Sequence, residues 1–370
     1  MNAIHRIGRS CARVLIGILV CAAMAGAASP VRADEPKVTV TGLLDWYYQY
    51  SFRHPPAGAA LAGRSFDVKH DSFSLSLAEA SVTRPVTADS PVGFTATLTF
   101  GKTADLVHAT EPGGTDTYKH LQQLYATYLT RGPHPVTIDF GKFVTPFGYE
   151  VIESAANDNY SRGFLFNYAI PFYHVGLRLT CPLTDALAGR LLLVNGWNNA
   201  EDDNGGKSAG AQLSYTGRGG LNVTLTWMGG DEWTGAGLPT NLSVQLLDLI
   251  VSYDSGDRLK LAANADYASA SRDGAGGGHW SGLALYARCQ ATASSAVALR
   301  WERFADSAGL RTGTAQDLDS LTATYEYAVG ASLLNRLEYR HDRAGAAFFP
   351  SRGGRSRTQD TVTFGQVVRF

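Results

Sequence analysis

Charged residues are scarce in this chain. They make up 18% of its 370 residues, against about 25% in an ordinary soluble domain. Methionine occurs three times and cysteine four times, too few cysteines for a disulfide framework once the N-terminal segment is set aside. No apolar run after that segment is long enough for a transmembrane helix. An excess of positive charge is missing too. Without Arg6, Arg9, Arg13 and Arg32 of the N-terminal segment, 28 of the 32 basic residues remain against 33 acids, a net charge of −5. That balance argues against a nucleic-acid partner.

The first 33 residues are written differently from the rest. "MNAIHRIGRSCAR" is basic, "VLIGILVCAAMAGAA" is apolar, and "VRA" supplies small residues before Asp34. This is the layout of a secretory signal peptide over residues 1–33, which places residues 34–370 outside the inner membrane. Cys11 and Cys21 leave with it. Cys181 and Cys289 remain, and whether they pair is open at this level.

What is abundant is glycine, at 40 residues, and tyrosine plus phenylalanine, at 17 and 16. Short stretches alternate strictly. In "AVALRWERF", Val297, Leu299 and Trp301 stand opposite Arg300 and Glu302. In "LLNRLEYRHD", Leu333, Leu337 and Tyr339 stand opposite Arg336, Glu338, Arg340 and Asp342. A period of two defines a strand with one apolar and one polar face. Sixteen such stretches are predicted, at about 37–51, 68–85, 91–101, 119–131, 134–143, 171–181, 186–196, 207–217, 220–229, 243–254, 257–269, 279–291, 295–305, 317–328, 332–342 and 358–370. The count falls to 14 if 119–131 and 243–254 are not strands.

The connections alternate in length. "TADS", "GPH", "LTDA", "RGG", "SGD", "TASS" and "VGAS" are hairpin turns by composition. Between them stand longer glycine-rich connections, among them "KTADLVHATEPGGTDTY", "ASRDGAGGG" and "RAGAAFFPSRGGRSR". Strands that run up and down around a closed cylinder put every second connection on the same rim. Short turns on one rim and long loops on the other describe a transmembrane antiparallel up-and-down β-barrel of the outer membrane. Only a closed barrel lets a sheet cross a bilayer without an unpaired edge. A soluble β-sandwich shares the alternation. It does not account for aromatics clustered near strand ends or for a final strand, "DTVTFGQVVRF", that runs to Phe370. That strand is expected to pair with "KVTVTGLLDWYYQY" and close the barrel.

The stretch "FGKFVTPFGYEVIESAANDNYSRGFLFNYAIPFYHVGLRLTCPL", followed by "VNGWNNAEDDNGGKSAGAQLSY", resembles the OmpL-like β-barrel porins of Gram-negative bacteria. "SYDSGDRLKLAANADYAS", "WSGLALYARCQ", "ALRWERFAD" and "RLEYRHDRA" continue the likeness. The resemblance implies an outer-membrane pore with no catalytic site and no cofactor. A C-terminal aromatic, here Phe370, also resembles the signal read by the outer-membrane assembly machinery.

Candidate site residues follow. The longest connection, Val144 to Ile170, has the position and length of the loop that narrows sixteen-stranded general porins. It carries Glu150, Glu153, Asp158 and Arg162, and its many aromatics argue against disorder. Arg178, Arg300, Glu302, Arg336, Glu338 and Arg340 face inward by parity. Loop acids across from wall arginines would set a transverse field that sorts solutes by charge. No metal is expected: Glu201, Asp202 and Asp203 cluster, but the calcium-loop spacing is absent. "GKSAG" matches a nucleophile-elbow pattern, yet Ser208 opens a strand with no helix after it. His174 and His341, the latter beside Asp342, are the histidines weighed as bases, and no serine is placed near either. The reading is therefore a porin for small hydrophilic solutes or ions, embedded in lipid, and not an enzyme. A homotrimer is common for such barrels but is not fixed by this sequence. The alternative is a structural or ligand-binding barrel with a closed lumen.

Overall fold

The computed structural model describes residues 36–238, 240–272 and 275–370; the predicted signal peptide, 1–33, lies outside them. The barrel strands are β1 (Thr39–Ser51), β2 (Ser72–Arg84), β3 (Val92–Phe100), β4 (Leu121–Leu129), β5 (Thr137–Val144), β6 (Tyr173–Pro182), β7 (Leu187–Val194), β8 (Ser208–Thr216), β9 (Leu221–Glu232), β10 (Leu242–Asp254), β11 (Leu259–Arg272), β12 (Ala275–Gln290), β13 (Ser295–Asp306), β14 (Gln316–Val329), β15 (Leu333–Ala344) and β18 (Thr358–Arg369). Each pairs antiparallel with its neighbours, and β18 pairs with both β15 and β1 to close the cylinder. A small hairpin, β16 (Phe349–Ser351) with β17 (Gly354–Ser356), decorates the last long loop. One short helix, α1 (Lys102–Val107), follows β3.

The burial pattern is inverted relative to a soluble protein. Val297, Leu299 and Trp301 are exposed on β13, whereas Arg300 and Glu302, which alternate with them, are fully buried. On β15, Leu337 and Tyr339 are exposed while Arg336, Glu338 and Arg340 are buried. Apolar-out and polar-in is what a lipid exterior requires, and it excludes the sandwich. No helix among the described residues is long and apolar enough to cross a membrane. The strands do the crossing, and ring closure leaves no edge of backbone groups in hydrocarbon.

The seam is well defined. β1 and β18 stay in register from Leu43↔Arg369 to Ser51↔Thr361. One residue further, the Gly42 N–H donates to the Phe370 carbonyl at 2.8 Å and the Phe370 N–H returns to Gly42 at 3.1 Å. The Phe370 ring itself is exposed on the outer face.

Several expectations change. Both doubtful segments are strands, β4 and β10, so the count is sixteen and not fourteen. "ASRDGAGGG" is not a long loop: β11 and β12 keep pairing as far as Arg272↔Ala275, because glycines keep the backbone groups a ladder needs. The second strand begins at Ser72, and residues 68–71 belong to the preceding loop. Cys181 and Cys289 lie on separate strands, β6 and β12, and both are free thiols. In the folded barrel, reductant should therefore leave electrophoretic mobility unchanged, and both thiols should alkylate after denaturation. A mass two hydrogens short, with both thiols resistant to alkylation, would contradict this arrangement.

Candidate functional site

The connection between β5 and β6, residues 145–172, is irregular apart from a single 3-10 turn at Ser154–Ala156 and a π-helical turn at Leu165–Ala169. Few of its backbone groups can satisfy one another. Its partners are inward-facing side chains of the barrel wall. The Gly148 N–H donates to Asp248 on β10 at 3.1 Å, and the Tyr149 N–H to Asn264 on β11 at 3.0 Å. Tyr149 packs on Tyr286 of β12, with ring centroids 4.6 Å apart. Ser154 and Tyr160 both donate hydroxyl protons to Asp45 on β1, at 2.6 and 2.8 Å. Asn159 donates to Thr324 on β14 at 2.7 Å, and Trp280 donates to the Ala169 carbonyl at 3.1 Å. The loop thus lies inside the cylinder, along the wall that runs from β10 through β18 to β1.

The inward charges of β13 and β15 complete this seating. Arg300 donates to Glu150 at 2.6 Å and to the Ser161 carbonyl at 2.6 Å. Glu302 accepts the Phe164 N–H at 2.5 Å. Arg336 donates to the carbonyls of Ser154 and Asn157 and pairs with Glu326 at 2.7 Å. Glu338 accepts the N–H groups of Tyr160 and Ser161 at 2.6 and 3.1 Å. Arg340 donates to the Arg162 carbonyl at 2.7 Å and to Asp342 at 2.6 Å. Arginines thus cap loop carbonyls, and carboxylates take loop N–H groups. Two glycines make the fit possible: a side chain on Gly365 would enter the Tyr160 ring, and one on Gly163 would enter the Glu302 carboxylate.

Apolar packing supports the charges. Phe147, Phe164, Phe166 and Ile170 are buried with Phe66 of the first long loop and with Trp280 and Phe304 of the wall. The Arg340 guanidinium lies 4.8 Å from the Phe164 ring centroid, and that of Arg162 lies 4.8 Å from Phe66. Burial, and then the neighbouring Asp45 carboxylate, hold the Tyr160 phenol well above its ordinary pKa. Burial with Asp158 does the same for Tyr149, whose hydroxyl donates to Asp158 at 2.8 Å. Both phenols remain donors across the physiological range.

The expected layout placed loop acids across an opening from wall arginines. Glu150 and Arg300 are instead in direct contact, and both are buried. Arg162 turns back onto the carbonyls of Tyr160 and Ile152 within its own loop. Glu153 reaches the opposite side, where Gln122 of β4 donates to it at 2.6 Å. Asp158 stands 3.9 Å from Arg288 of β12. Arg178 is apart from all of these, on β6, paired with Asp139 at 2.8 Å. Sequence reasoning missed Asp45, Asp248 and Arg190. Arg190 was hidden because "GRLLLV" runs three leucines together and masks the alternation.

The histidines have structural partners. His341 pairs with Asp360 at 2.7 Å and not with its neighbour Asp342, because adjacent strand residues face opposite sides. His174 bonds the Gly196 carbonyl and the Thr145 hydroxyl. His108, after α1, is buried against the Lys142 ammonium at 2.7 Å; burial first and that cation second lower its pKa to about 4. Glu201, Asp202 and Asp203 bond Tyr118, Lys207 and Asn199 respectively. Among the described residues no group of three or more candidate ligands could hold a metal.

A closed sixteen-stranded cylinder with a polar interior and a loop folded into it is the architecture of an outer-membrane porin. The family comparison agrees. The model described as "Putative beta-barrel porin-2, OmpL-like" matches residues 37–370, and the chain belongs to that family. Among solved structures it is similar to the outer membrane channel DcaP of Acinetobacter baumannii, at 12% identity and a TM-score of 0.62, covering 93% of this chain and all of that one. It is also similar to an anion-selective porin from Comamonas acidovorans, at 13% identity and a TM-score of 0.60, covering 91% and 100%. The trimer form of OmpT from Vibrio cholerae gives 13% and 0.61, covering 91% and 100%. These likenesses establish the fold. No curated protein matches the chain.

The seating of the loop yields a quantitative contrast. Glu150→Gln leaves Arg300 with Glu302, 3.4 Å away, as its remaining acidic partner and weakens a charge-assisted buried bond, which should cost roughly 1.5–3 kcal/mol. Glu153→Gln, at a partly exposed contact, should cost less than about 1 kcal/mol. Denaturant unfolding of the barrel in detergent measures both, and equal losses would contradict the buried tie.

Proposed function

We propose that the chain is a passive diffusion pore for small hydrophilic solutes or ions, constricted by residues 145–172. The observation that carries this reading is the asymmetry of the loop's contacts. Most of its bonds go to the β10-to-β1 side, whereas inward residues of β4 to β9 such as Thr127, Arg178, Thr180, Arg190, Ser214 and Thr224 keep part of their surface exposed. A polar wall left bare beside a fixed loop is what a constricted passage needs. Glu153 and Asp158, on the loop, and Arg178, Arg190 and Arg288, on the wall, are the charges that bound it. No reaction is required of any of them. Lipid surrounds the apolar outer face, and assembly as a homotrimer is compatible with that face.

Purified protein of residues 34–370 should give stepwise, ohmic current in a planar bilayer. Removing residues 153–158 should roughly double single-channel conductance, because it takes away Glu153, which reaches across to β4, together with the turn that holds it to Asp45 and Arg336. A protein that inserts but carries no current would favour the closed-lumen alternative. Unchanged conductance after the deletion would remove the loop from its proposed role.

A further inference from the structure

Towards the short-turn rim, the bare wall holds a recess of about 420 Å³. It is lined by inward residues of β4 to β7, among them Tyr125, Thr127, Asp139, Arg178 and Arg190, and at its edge by the end of β2 with Arg84, whose register partner Phe94 lies on the outer face. The rest of its polar lining is threonine. Two guanidinium groups, those of Arg178 and Arg190, therefore share the recess with one carboxylate.

That carboxylate is already engaged. Asp139 accepts the Thr127 hydroxyl at 2.7 Å on one oxygen and Arg178 at 2.8 Å on the other. Arg178 is further fixed over the rings of Phe143 and Tyr125, at 4.5 and 5.1 Å. Arg190 has neutral partners: it donates to Gln212 at 2.7 Å and to Thr180 at 3.3 Å. Arg84 donates to Ser90 of the adjoining turn at 2.9 Å and to the carbonyl of Val92 at the start of β3. The register pairs Arg190 with Thr180, two residues from Arg178. Diagonal neighbours of this kind lie about 7–8 Å apart at the backbone, within reach of one small anion. Guanidinium forks match the planar geometry of a carboxylate, and hydroxyl side chains match hydroxyl groups on its body.

We infer that this recess is an oxyanion-binding station on the pore wall, suited to a small hydroxylated carboxylate. The inference deepens the pore reading and rests on it for its role in transport. Binding itself can be measured without current.

Gluconate is the probe, with glucose and inorganic phosphate as comparators. Calorimetry on the folded barrel in detergent should show gluconate binding, with glucose at least tenfold weaker. Arg190→Gln should weaken gluconate at least tenfold. Asp139→Asn, which removes the competing carboxylate, should strengthen it. Arg258→Gln, in the β10–β11 turn, should change neither. In bilayers, gluconate should reduce the current through the unaltered pore, and Arg190→Gln should relieve that block and shift the reversal potential towards cations. Equal gluconate affinity in the unaltered protein and Arg190→Gln would overturn the station, even if current flows. Phosphate binding tightly where gluconate does not would overturn the carboxylate assignment. Binding as expected with no current would instead overturn the pore.

Discussion

An irregular stretch of backbone at membrane depth must have its N–H and C=O groups satisfied by protein wherever it does not face an aqueous lumen. That constraint organises this structure. A strand crossing the bilayer solves it through its neighbours, but residues 145–172 are neither strand nor long helix. Their polar groups are met by side chains on the wall, where Arg300, Arg336 and Arg340 take carbonyls and Glu302 and Glu338 take N–H groups. Burying five such charges would be costly in isolation. Here each charge is neutralised by a partner of opposite sign or by several backbone dipoles, so the ladder and the loop stabilise each other. Neither half is tolerable without the other.

A division of labour around the barrel follows. From β10 to β1 the interior is a clamp in which most inward side chains are buried against the loop. From β4 to β9 it is a polar surface with room beside it. The strands of the clamp are among the longest, with twelve residues or more in each of β10 to β15 and β18. Those of the bare wall from β4 to β8 have eight to ten. Longer strands give the clamp more inward positions at the height of the loop. The position of the loop, and hence of any passage, is set by which inward positions carry alternating charge. Inserting a loop does not by itself decide whether a pore admits anions or cations. Charges spent on anchoring, such as Glu150 and Arg300, are screened by each other, whereas Arg190 is hydrogen-bonded only to neutral partners and shares the one nearby carboxylate, Asp139, with Arg178. Selectivity therefore belongs to residues that anchor nothing.

Much of the fold was legible in the sequence. A period of two assigns each residue a face wherever large and small, or apolar and charged, residues alternate cleanly. That is why "LEYRHD" and "LRWERF" were read correctly as to face. It fails where composition hides it. Arg190 sits beside three leucines, and "ASRDGAGGG" looks like a loop because glycine is equally at home in turns and ladders. The partner of His341 has a related cause. Sequence neighbours suggest pairs, but a strand turns them apart and gives His341 to Asp360 on the adjacent strand.

By itself, the sequence determined the class of wall this chain builds: an up-and-down barrel, the faces of its clearly alternating strands, the rims of most turns and the seam at the last strand. Local backbone sterics and side-chain alternation act over a few residues, and both can be read from a string. Only the tertiary structure decided which inward charges are ties and which are surface. That choice depends on contacts more than 100 residues apart, such as Glu150 with Arg300 and Tyr160 with Asp45. Such contacts exist only after the cylinder closes and brings β1, β13 and β15 around one loop.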